Sequence, residues 1–277
     1  MRKKVVVTDI IDHYDDPQPL SQGGQKVVFT VQHPRFGRCV LKIGYYNSPS
    51  VLERIRREVA VLDGLDSEYF PRHLHFEVFD AERYILLEEL LEGKTLDECY
   101  SDFHSEDSVA ALGTELVQAL SQLWERRIVH RDLKPGNIII TAKGPRVIDL
   151  GIARLLDSPS LTQSLAPYGP CTPAYAAPEQ LENRKRDIDY RTDQFSLGIV
   201  LTQLLLHGKH PFDPVLVGRG GSIPENILIG AWAKSELKAT VPMLRILGRL
   251  LGREPYQRFR RAEDLRSELS ALSGRQQ

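Results

Sequence analysis

The pattern of apolar residues changes near Gly93, and this change constrains the fold more than any other feature of the sequence. Before Gly93, short apolar runs separated by turn residues predict pairs of β-strands over 26–43 and 74–90. After Gly93, helical spacing of apolar residues predicts helices over 106–127, 193–207, 241–251 and 261–272. A strand-rich first third followed by a helix-rich remainder predicts an α+β protein of two lobes that divide near residue 90.

One helix is predicted within the strand-rich part. Its apolar stripe consists of Val51, Leu52, Ile55, Val59 and Leu62. Ser50 with Glu53 three residues later predicts a capping box at the start, and Gly64 marks a plausible end. The first lobe is therefore predicted to be a sheet accompanied by one helix.

Composition excludes several classes of protein. The 277 residues are 42% hydrophobic and 26% charged, which is typical of a globular chain. Because 36 basic residues balance 37 acidic ones, we predict neither nucleic acid nor a membrane as a partner. Three cysteines are too few for a disulfide framework and suit a reducing compartment. With no apolar run near the roughly 20 residues of a membrane span and no signal peptide, we expect a cytoplasmic protein.

Residues suited to phosphoryl transfer lie close together in the second part. Asp132, Lys134 and Asn137 belong to the segment HRDLKPGN at 130–137, and Asp149 follows in VIDLG. Phosphoryl transfer needs a carboxylate for the attacking hydroxyl, oxygen ligands for Mg²⁺ and a cation near the transferred charge. We therefore predict Asp132 as the base, Lys134 as the cation, and Asn137 and Asp149 as magnesium ligands. The alternative is an ordinary polar surface turn, which four suitable residues at these spacings make improbable.

These motifs resemble those of the eukaryotic-like (Hanks-type) serine/threonine protein kinases, in their bacterial form. HRDLKPGN resembles the catalytic loop, the DLG at 149–151 resembles the magnesium-binding DFG motif, and the APE at 177–179 resembles the end of the activation segment. Lys134, two residues after the catalytic Asp, is similar to Ser/Thr rather than Tyr kinases. The resemblance implies a kinase that uses ATP and Mg²⁺ and phosphorylates Ser or Thr of proteins, including itself.

The resemblance also implies the bilobal protein kinase fold. A small β-rich N-lobe with one key helix would occupy residues 15–90, and a larger, mainly helical C-lobe would occupy 91–272. Residues 1–14 are then an N-terminal extension, and residues 273–277 are a C-terminal tail.

The nucleotide site is implied by the same resemblance. Lys42 would hold the α- and β-phosphates and pair with Glu58 of the helix, although Glu58 on a solvated helix edge is an alternative. Val40, in place of the usual alanine, would touch adenine. In the glycine-rich loop only Gly23 keeps the family pattern, followed by an extra Gly24.

Further nucleotide contacts are implied on either side of Lys42. Lys26 replaces the last glycine of the loop and brings a charge to the phosphates, and Val28 follows as the loop's valine. Leu87 would be the gatekeeper, and the backbone of Glu88 and Leu90 would meet adenine. The alternative for the glycine-rich loop is a hairpin turn without a nucleotide role. The alternative for the segment around Leu87 is a plain strand end.

Several other residues resemble supporting positions of the family. Thr172 would lie beside the catalytic loop, Asp193 would support that loop from a helix, and Arg258 would pair with Glu179. Arg131 precedes the catalytic Asp, as in kinases that a loop phosphate activates. Thr162 or Ser164 is the predicted acceptor of that phosphate.

Two other classes of function are alternatives to an active protein kinase. The degenerate glycine loop slightly favours a pseudokinase that acts as a nucleotide-binding scaffold or allosteric switch. The full set of Lys42, Glu58, Asp132, Asn137 and Asp149 favours an active kinase more strongly. A small-molecule phosphotransferase is disfavoured because the segment from Thr172 to Glu179 resembles a platform for protein substrates.

Overall fold

The chain forms two compact units, Met1–Glu92 and Gly93–Gln277, so the division falls two residues after the predicted boundary. The computed structural model describes residues 7–22, 26–65, 68–150, 154–155 and 171–274. A β-rich first unit and a mainly helical second unit agree with the predicted α+β fold of two lobes. Among the described residues, no helix is long and apolar enough to cross a membrane.

The first unit is built on a five-stranded antiparallel sheet in the order β1-β2-β3-β5-β4. Its strands are β1 (Asp15–Gln22), β2 (Lys26–His33), β3 (Gly37–Tyr45), β4 (His73–Val78) and β5 (Arg83–Glu89). Strand β1 lies at an edge, which accommodates Pro17 and Pro19, since an edge strand pairs on one side only. The turn before β5 is fixed by Asp80, whose Oδ1 accepts hydrogen bonds from the backbone N–H groups of Glu82 and Arg83.

One face of this sheet forms the core of the first unit. Its buried residues come from β2, β3 and β5: Val27, Phe29, Val31, Cys39, Leu41, Ile43, Ile85 and Leu87. Ile10, which is 0% exposed, belongs to the same core. Ile10 lies in a short helix, α1 (Thr8–Ile11), so residues 7–14 pack onto the sheet. The predicted N-terminal extension is therefore, from Val7 onward, part of the folded unit.

Helix α2 (Pro49–Leu62) is the helix predicted within the first unit. It begins two residues earlier than expected, because Ser48 is the N-cap and its Oγ accepts the backbone N–H of Val51. Pro49 occupies the first turn, where its missing N–H costs nothing. The predicted capping box at Ser50 is therefore wrong, although the helix itself is where its apolar stripe predicts.

The second unit is organised around two long helices, α3 (Glu106–Glu125) and α5 (Tyr190–Leu205). Helix α3 lies within the predicted range 106–127, and its apolar residues with helical spacing are all buried: Val109, Leu112, Leu116, Leu120 and Leu123. Helix α5 is buried along nearly its whole length. The remaining helices are α4 (Pro178–Leu181), α6 (Pro214–Val217), α7 (Ile223–Ile229), α8 (Val241–Leu250) and α9 (Ala262–Ser270). Helix α9 packs on α3, and α8 packs on α5.

Short strands frame the predicted catalytic loop in the second unit. Strand β7 (Ile128–Val129) precedes the loop and pairs with β10 (Arg154–Leu155). Strands β8 (Ile138–Thr141) and β9 (Gly144–Val147) follow it as a hairpin, and β6 (Lys94–Thr95) pairs with β8. The loop is therefore anchored at both ends by strands.

Candidate active site

Lys42 and Glu88 form a buried ion pair within the first unit. The distance from Lys42 Nζ to Glu88 Oε2 is 2.5 Å, and each residue is 8% exposed. Lys42 lies on β3 and Glu88 on the adjacent strand β5. Both side chains lie on the sheet face opposite the apolar core, because Val40 pairs directly with Glu88 and Lys42 with Leu86.

This register corrects the assignment of residues around Leu87. Leu87 pairs with Leu41, is 0% exposed and belongs to the core face, so it does not lie beside Lys42 as a gatekeeper would. Glu88 takes that place, and its backbone lies within the strand, paired with Val40 on one side and His73 on the other. Leu90 is the first residue beyond β5, where the backbone has left the ladder.

Other predicted nucleotide residues share the face of Lys42 where the structure describes them. Val28 pairs directly with Lys42, and strand alternation puts Lys26 on the same side. Val40 lies there as well, opposite Glu88. Gly23, Gly24 and the side chain of Glu58 lie outside what the structure describes.

Asp132 is the centre of a compact polar cluster in the second unit. Its Oδ2 accepts hydrogen bonds from Lys134 Nζ at 2.9 Å and from Asn137 Nδ2 at 3.3 Å. Its Oδ1 accepts the backbone N–H of Thr172 at 2.8 Å. Lys134 Nζ also donates to Thr172 Oγ1 at 2.8 Å. Three of the four residues predicted to transfer phosphate therefore meet at Asp132, which contacts both Lys134 and Asn137, and Thr172 is a fourth member of the cluster.

The cluster keeps the Asp132 carboxyl ionised. Burial acts to raise its pKa, but hydrogen bonds from Thr172 and Lys134 outweigh burial and hold the pKa below the ordinary value. An ionised carboxylate is the form that accepts a proton, so the electrostatics suit a base at neutral pH.

Asp193 of α5 fixes the backbone on the N-terminal side of Asp132. Its two oxygens accept the backbone N–H groups of His130 and Arg131, each at 2.9 Å, and Oδ2 also accepts Trp124 Nε1 at 3.0 Å. Burial lowers the pKa of His130, consistent with a neutral ring that donates from Nε2 to Ile148 O and accepts the Asp132 N–H at Nδ1. His130 is therefore a structural residue rather than a proton carrier.

Asn137 and Asp149 are brought onto adjoining segments. The backbone N–H of Ile148 donates to Asn137 O at 2.9 Å, which places Asp149 one residue from that bond. Asn137 Nδ2 donates to Asp132 O at 2.8 Å, so the amide presents its Oδ1 as the remaining atom. Asp149 has a φ of 67°, in the left-handed region that residues other than glycine rarely adopt.

These two residues fit a magnesium site by the chemistry of their donors. Amide and carboxylate oxygens are ligands that Mg²⁺ accepts, and in phosphate-transfer sites the protein commonly supplies only one or two of them. No cluster of three or more His, Cys, Asp or Glu side chains suited to a metal occurs among the described residues. A magnesium site built here would therefore depend on substrate phosphates and water for its other ligands.

The segment after the predicted activation loop is tied to the catalytic loop. Gln180, in α4, donates from Nε2 to Arg131 O at 2.9 Å and accepts the backbone N–H of Ala177 at 3.0 Å. Gln180 could not be recognised from the sequence, since a lone glutamine after APE carries no signal of its partner. Tyr175 is held in turn by Gln203, whose Oε1 accepts the Tyr175 hydroxyl, and by Ser196, which donates to Tyr175 O.

Glu179 and Arg258 form a fully buried, two-pronged ion pair. Arg258 Nη1 and Nη2 donate to the two carboxylate oxygens at 2.6 and 2.9 Å, and both side chains are 0% exposed. Thr192 also donates to Glu179, so the carboxylate is well satisfied. The pair links α4 to the segment before α9, which is an architectural role.

Cys171 lies beside this site but is not an activated thiol. Burial, with a smaller contribution from the Asp132 charge, raises its pKa to about 11. A thiol with a raised pKa is protonated at neutral pH and reacts slowly. Cys171 therefore acts as a small packing residue, together with Tyr175.

The fold and these clusters define a protein kinase domain, and comparison with known proteins agrees. The sequence profile of the protein kinase domain matches residues 14–259. The chain is 30% identical, over 92% of its length, to the serine/threonine-protein kinase pkn2 of Myxococcus xanthus. It is 30% identical, over 93% of its length, to the serine/threonine-protein kinase PknB of Mycobacterium leprae, and 29% identical, over 83%, to PrkC of Bacillus subtilis.

The chain belongs to the protein kinase family, and within it to the Hanks-type Ser/Thr kinases of bacteria. It spans 32% of the length of pkn2, 42% of PknB and 35% of PrkC.

Proposed function

We propose that this protein transfers the γ-phosphate of ATP to Ser and Thr hydroxyls of protein substrates. The observation that carries the proposal is the contact of Asp132 with Lys134, Asn137 and Thr172. It combines an ionised carboxylate with a cation a few ångströms away, which is what the attacking hydroxyl and the transferred charge require. The bacterial Ser/Thr kinases to which the chain is related support the same choice of acceptor.

Asp132 orients the substrate hydroxyl and accepts its proton. The hydroxyl oxygen then forms a bond to the γ-phosphorus while the bond to the β–γ bridging oxygen breaks, and ADP leaves with that electron pair. Lys134 lies 2.9 Å from Asp132 and carries a positive charge for the phosphoryl oxygens. Thr172 connects the substrate-binding segment to the same cluster, so that the substrate hydroxyl is held close to Asp132.

Lys42 holds the α- and β-phosphates of ATP in the proposed reaction. Lys26 adds a second cation on the same sheet face, Val28 and Val40 contact the nucleotide, and the backbone of Leu90 contacts adenine. Asn137 and Asp149 are the residues that would hold magnesium. When bound, the ion offsets charge on the β- and γ-phosphates.

Autophosphorylation is proposed as the regulatory counterpart of this reaction. Thr162 and Ser164 lie outside the described residues. Their proposed role depends on Arg131, a permanent cation next to the base. A phosphate carries about −1.5 to −2 charge and several strong acceptors. Mass spectrometry after incubation with ATP should find phosphate at one of the two, and changing both to Ala should slow the enzyme.

The reaction is assigned to the cytoplasm. All three cysteines, Cys39, Cys99 and Cys171, are free thiols. A reducing compartment preserves free thiols, and the cytoplasm supplies ATP.

Phosphotransfer from labelled ATP tests the proposal. The wild-type chain should phosphorylate itself or a generic basic protein, with label on Ser or Thr. Asp132→Asn should lower the rate at least about 100-fold, because it removes the base. Asp264→Asn, an exposed carboxylate on α9, is the matched control and should leave the rate unchanged.

Calorimetry with ATP and Mg²⁺ distinguishes the alternative. A wild-type chain that binds the nucleotide but transfers no label would be a nucleotide-binding scaffold. Equal rates for the wild type and Asp132→Asn would exclude Asp132 as the base.

A further inference from the structure

The Lys42–Glu88 pair is formed entirely within the sheet of the first unit. Lys42 lies opposite Leu86, and Glu88 lies two residues further along the same strand, on the same face. Diagonal neighbours across an antiparallel pair are about 7–8 Å apart at Cα, within reach of two long side chains. Strand register therefore brings the two side chains within reach of each other, and Nζ lies 2.5 Å from Oε2.

Both partners of the ion pair are buried beside apolar neighbours of the sheet. Val28 and Leu86 pair directly with Lys42 in the sheet, and Val40 pairs directly with Glu88. Each charged side chain is about 10% exposed. Breaking a buried ion pair by removing one partner is strongly unfavourable, so loss of the Glu88 charge should disturb the position of the Lys42 ammonium.

We propose that Glu88 is a positioning residue that holds the Lys42 ammonium in place for the phosphates of ATP. This inference depends on the proposed function, since it assigns Lys42 to the nucleotide. The sheet supplies this carboxylate, so the placement of Lys42 does not rely solely on a glutamate from helix α2.

A double-mutant cycle on ATP binding tests whether Glu88 acts through Lys42. The four proteins are the wild type, Glu88→Gln, Lys42→Met and the double variant, each measured by calorimetry with ATP and Mg²⁺. Glu88→Gln should weaken ATP binding about tenfold in the wild type, the range expected for loss of a charged hydrogen bond. It should change the affinity less than about twofold in the Lys42→Met background, because the group that it positions is then absent.

The matched control is Glu77→Gln, which removes a carboxylate from β4 of the same sheet, where the side chain is 55% exposed. ATP affinity should stay at the wild-type value in this variant. Circular dichroism and thermal unfolding report whether each variant is folded. If Glu88→Gln does not fold, Glu88→Asp takes its place in the cycle, since it keeps the charge but shortens the reach by one methylene.

Three results would overturn the inference. One is unchanged or tighter ATP binding by folded Glu88→Gln. Another is an equal loss of affinity in the wild-type and Lys42→Met backgrounds, which would mean that Glu88 acts independently. The third is a Glu88 variant that changes only the melting temperature. Wild-type protein that binds ATP without transferring phosphate would count against the proposed function alone.

Discussion

Gln180 Nε2 lies 2.9 Å from the backbone oxygen of Arg131, the residue that precedes the proposed base. The same side chain accepts the backbone N–H of Ala177. One amide thus fastens the end of the activation segment to the catalytic loop inside the second unit. The predicted substrate-binding segment and the loop that carries the proposed base are therefore structurally coupled.

Replacing Gln180 with Leu should lower both activity and stability. The variant removes the Gln180 hydrogen bonds to the buried Arg131 carbonyl and Ala177 N–H, and loss of a partner by a buried polar group typically costs about 1–3 kcal/mol. We expect kcat to fall with little change in the affinity for ATP, measured by steady-state kinetics and calorimetry. Wild-type kcat and an unchanged melting temperature would contradict the link described here.

The hydroxyl of Thr172 should matter for turnover more than its methyl group. Thr172→Val removes the acceptor of Lys134 Nζ but keeps the side-chain volume. Loss of one hydrogen bond of roughly 0.5–1.5 kcal/mol predicts a decrease in kcat of about 2–13-fold. Thr172→Ser keeps the hydroxyl and serves as the control, with kcat close to wild type. Equal kcat for the Val and Ser variants would remove the hydroxyl from the mechanism.

Truncating Ile10 should destabilise the first unit although it precedes the first strand. Ile10 is 0% exposed in the sheet core, and Ile→Ala changes at such sites cost about 2–5 kcal/mol. Ile11→Ala, at a partly buried neighbour, should cost clearly less. Chemical denaturation of both variants gives the comparison. If both variants lose the same small amount of unfolding free energy, residues 7–14 do not support the core.

The free energy of unfolding should decrease as the pH falls from about 6.5 to about 4. Burial lowers the pKa of His210 from 6.5 to about 4, so the unfolded chain binds the proton first. Stability from the neutral ring is thus present above the unfolded pKa and is lost as the pH falls, by roughly 3 kcal/mol at most. The neutral form donates from Nε2 to Ala174 O and accepts the Phe212 N–H at Nδ1.

His210→Gln should flatten this slope in part, because burial lowers the pKa of His130 as well, in the same direction. His104→Gln, at an exposed histidine, should leave the slope as in the wild type. Denaturant unfolding at a series of pH values provides the test. A slope that His210→Gln does not alter would assign the acid sensitivity elsewhere.

Lys26→Gly should weaken ATP binding. It restores a glycine of the family's loop but deletes a cation on the sheet face that carries Lys42. A charged hydrogen bond of about 1.5–3 kcal/mol corresponds to at least tenfold in affinity when fully lost. Calorimetry on Lys26→Gly and on the charge-retaining Lys26→Arg makes the comparison. Unchanged or tighter binding by the glycine variant would mean that the lysine has no phosphate contact.

Helices α3, α5, α8 and α9 correspond to the four helices predicted in the second unit, and the apolar faces of α3 and α8 are buried as their helical period predicts. The short helices α4, α6 and α7 were not predicted. The first residue of α2 could not be predicted from the sequence, since Ser48 and Ser50 are both acceptable N-cap residues. The structure shows that Ser48 is the N-cap and that Pro49 lies in the first turn. Helix α1 is four residues long, too short for periodicity to register.

The candidate site likewise contains residues that could be predicted from the sequence and residues that could not. The catalytic-loop residues could be predicted because their types and spacing are set by chemistry. The face of β5 could not, since Ile85, Leu86, Leu87 and Glu88 are all buried and a strand buried on both sides gives no alternation to read. Only strand register shows that Leu87 points into the core and Glu88 toward Lys42.

The left-handed backbone at Asp149 sets stability and chemistry against each other. Such a conformation costs roughly 1–2 kcal/mol for a residue with a Cβ atom and almost nothing for glycine. A library ranked by heat resistance alone would therefore enrich glycine at position 149. That choice would discard the carboxylate that we assign to magnesium, so the most robust variants from such a screen would be the least able to move a phosphate.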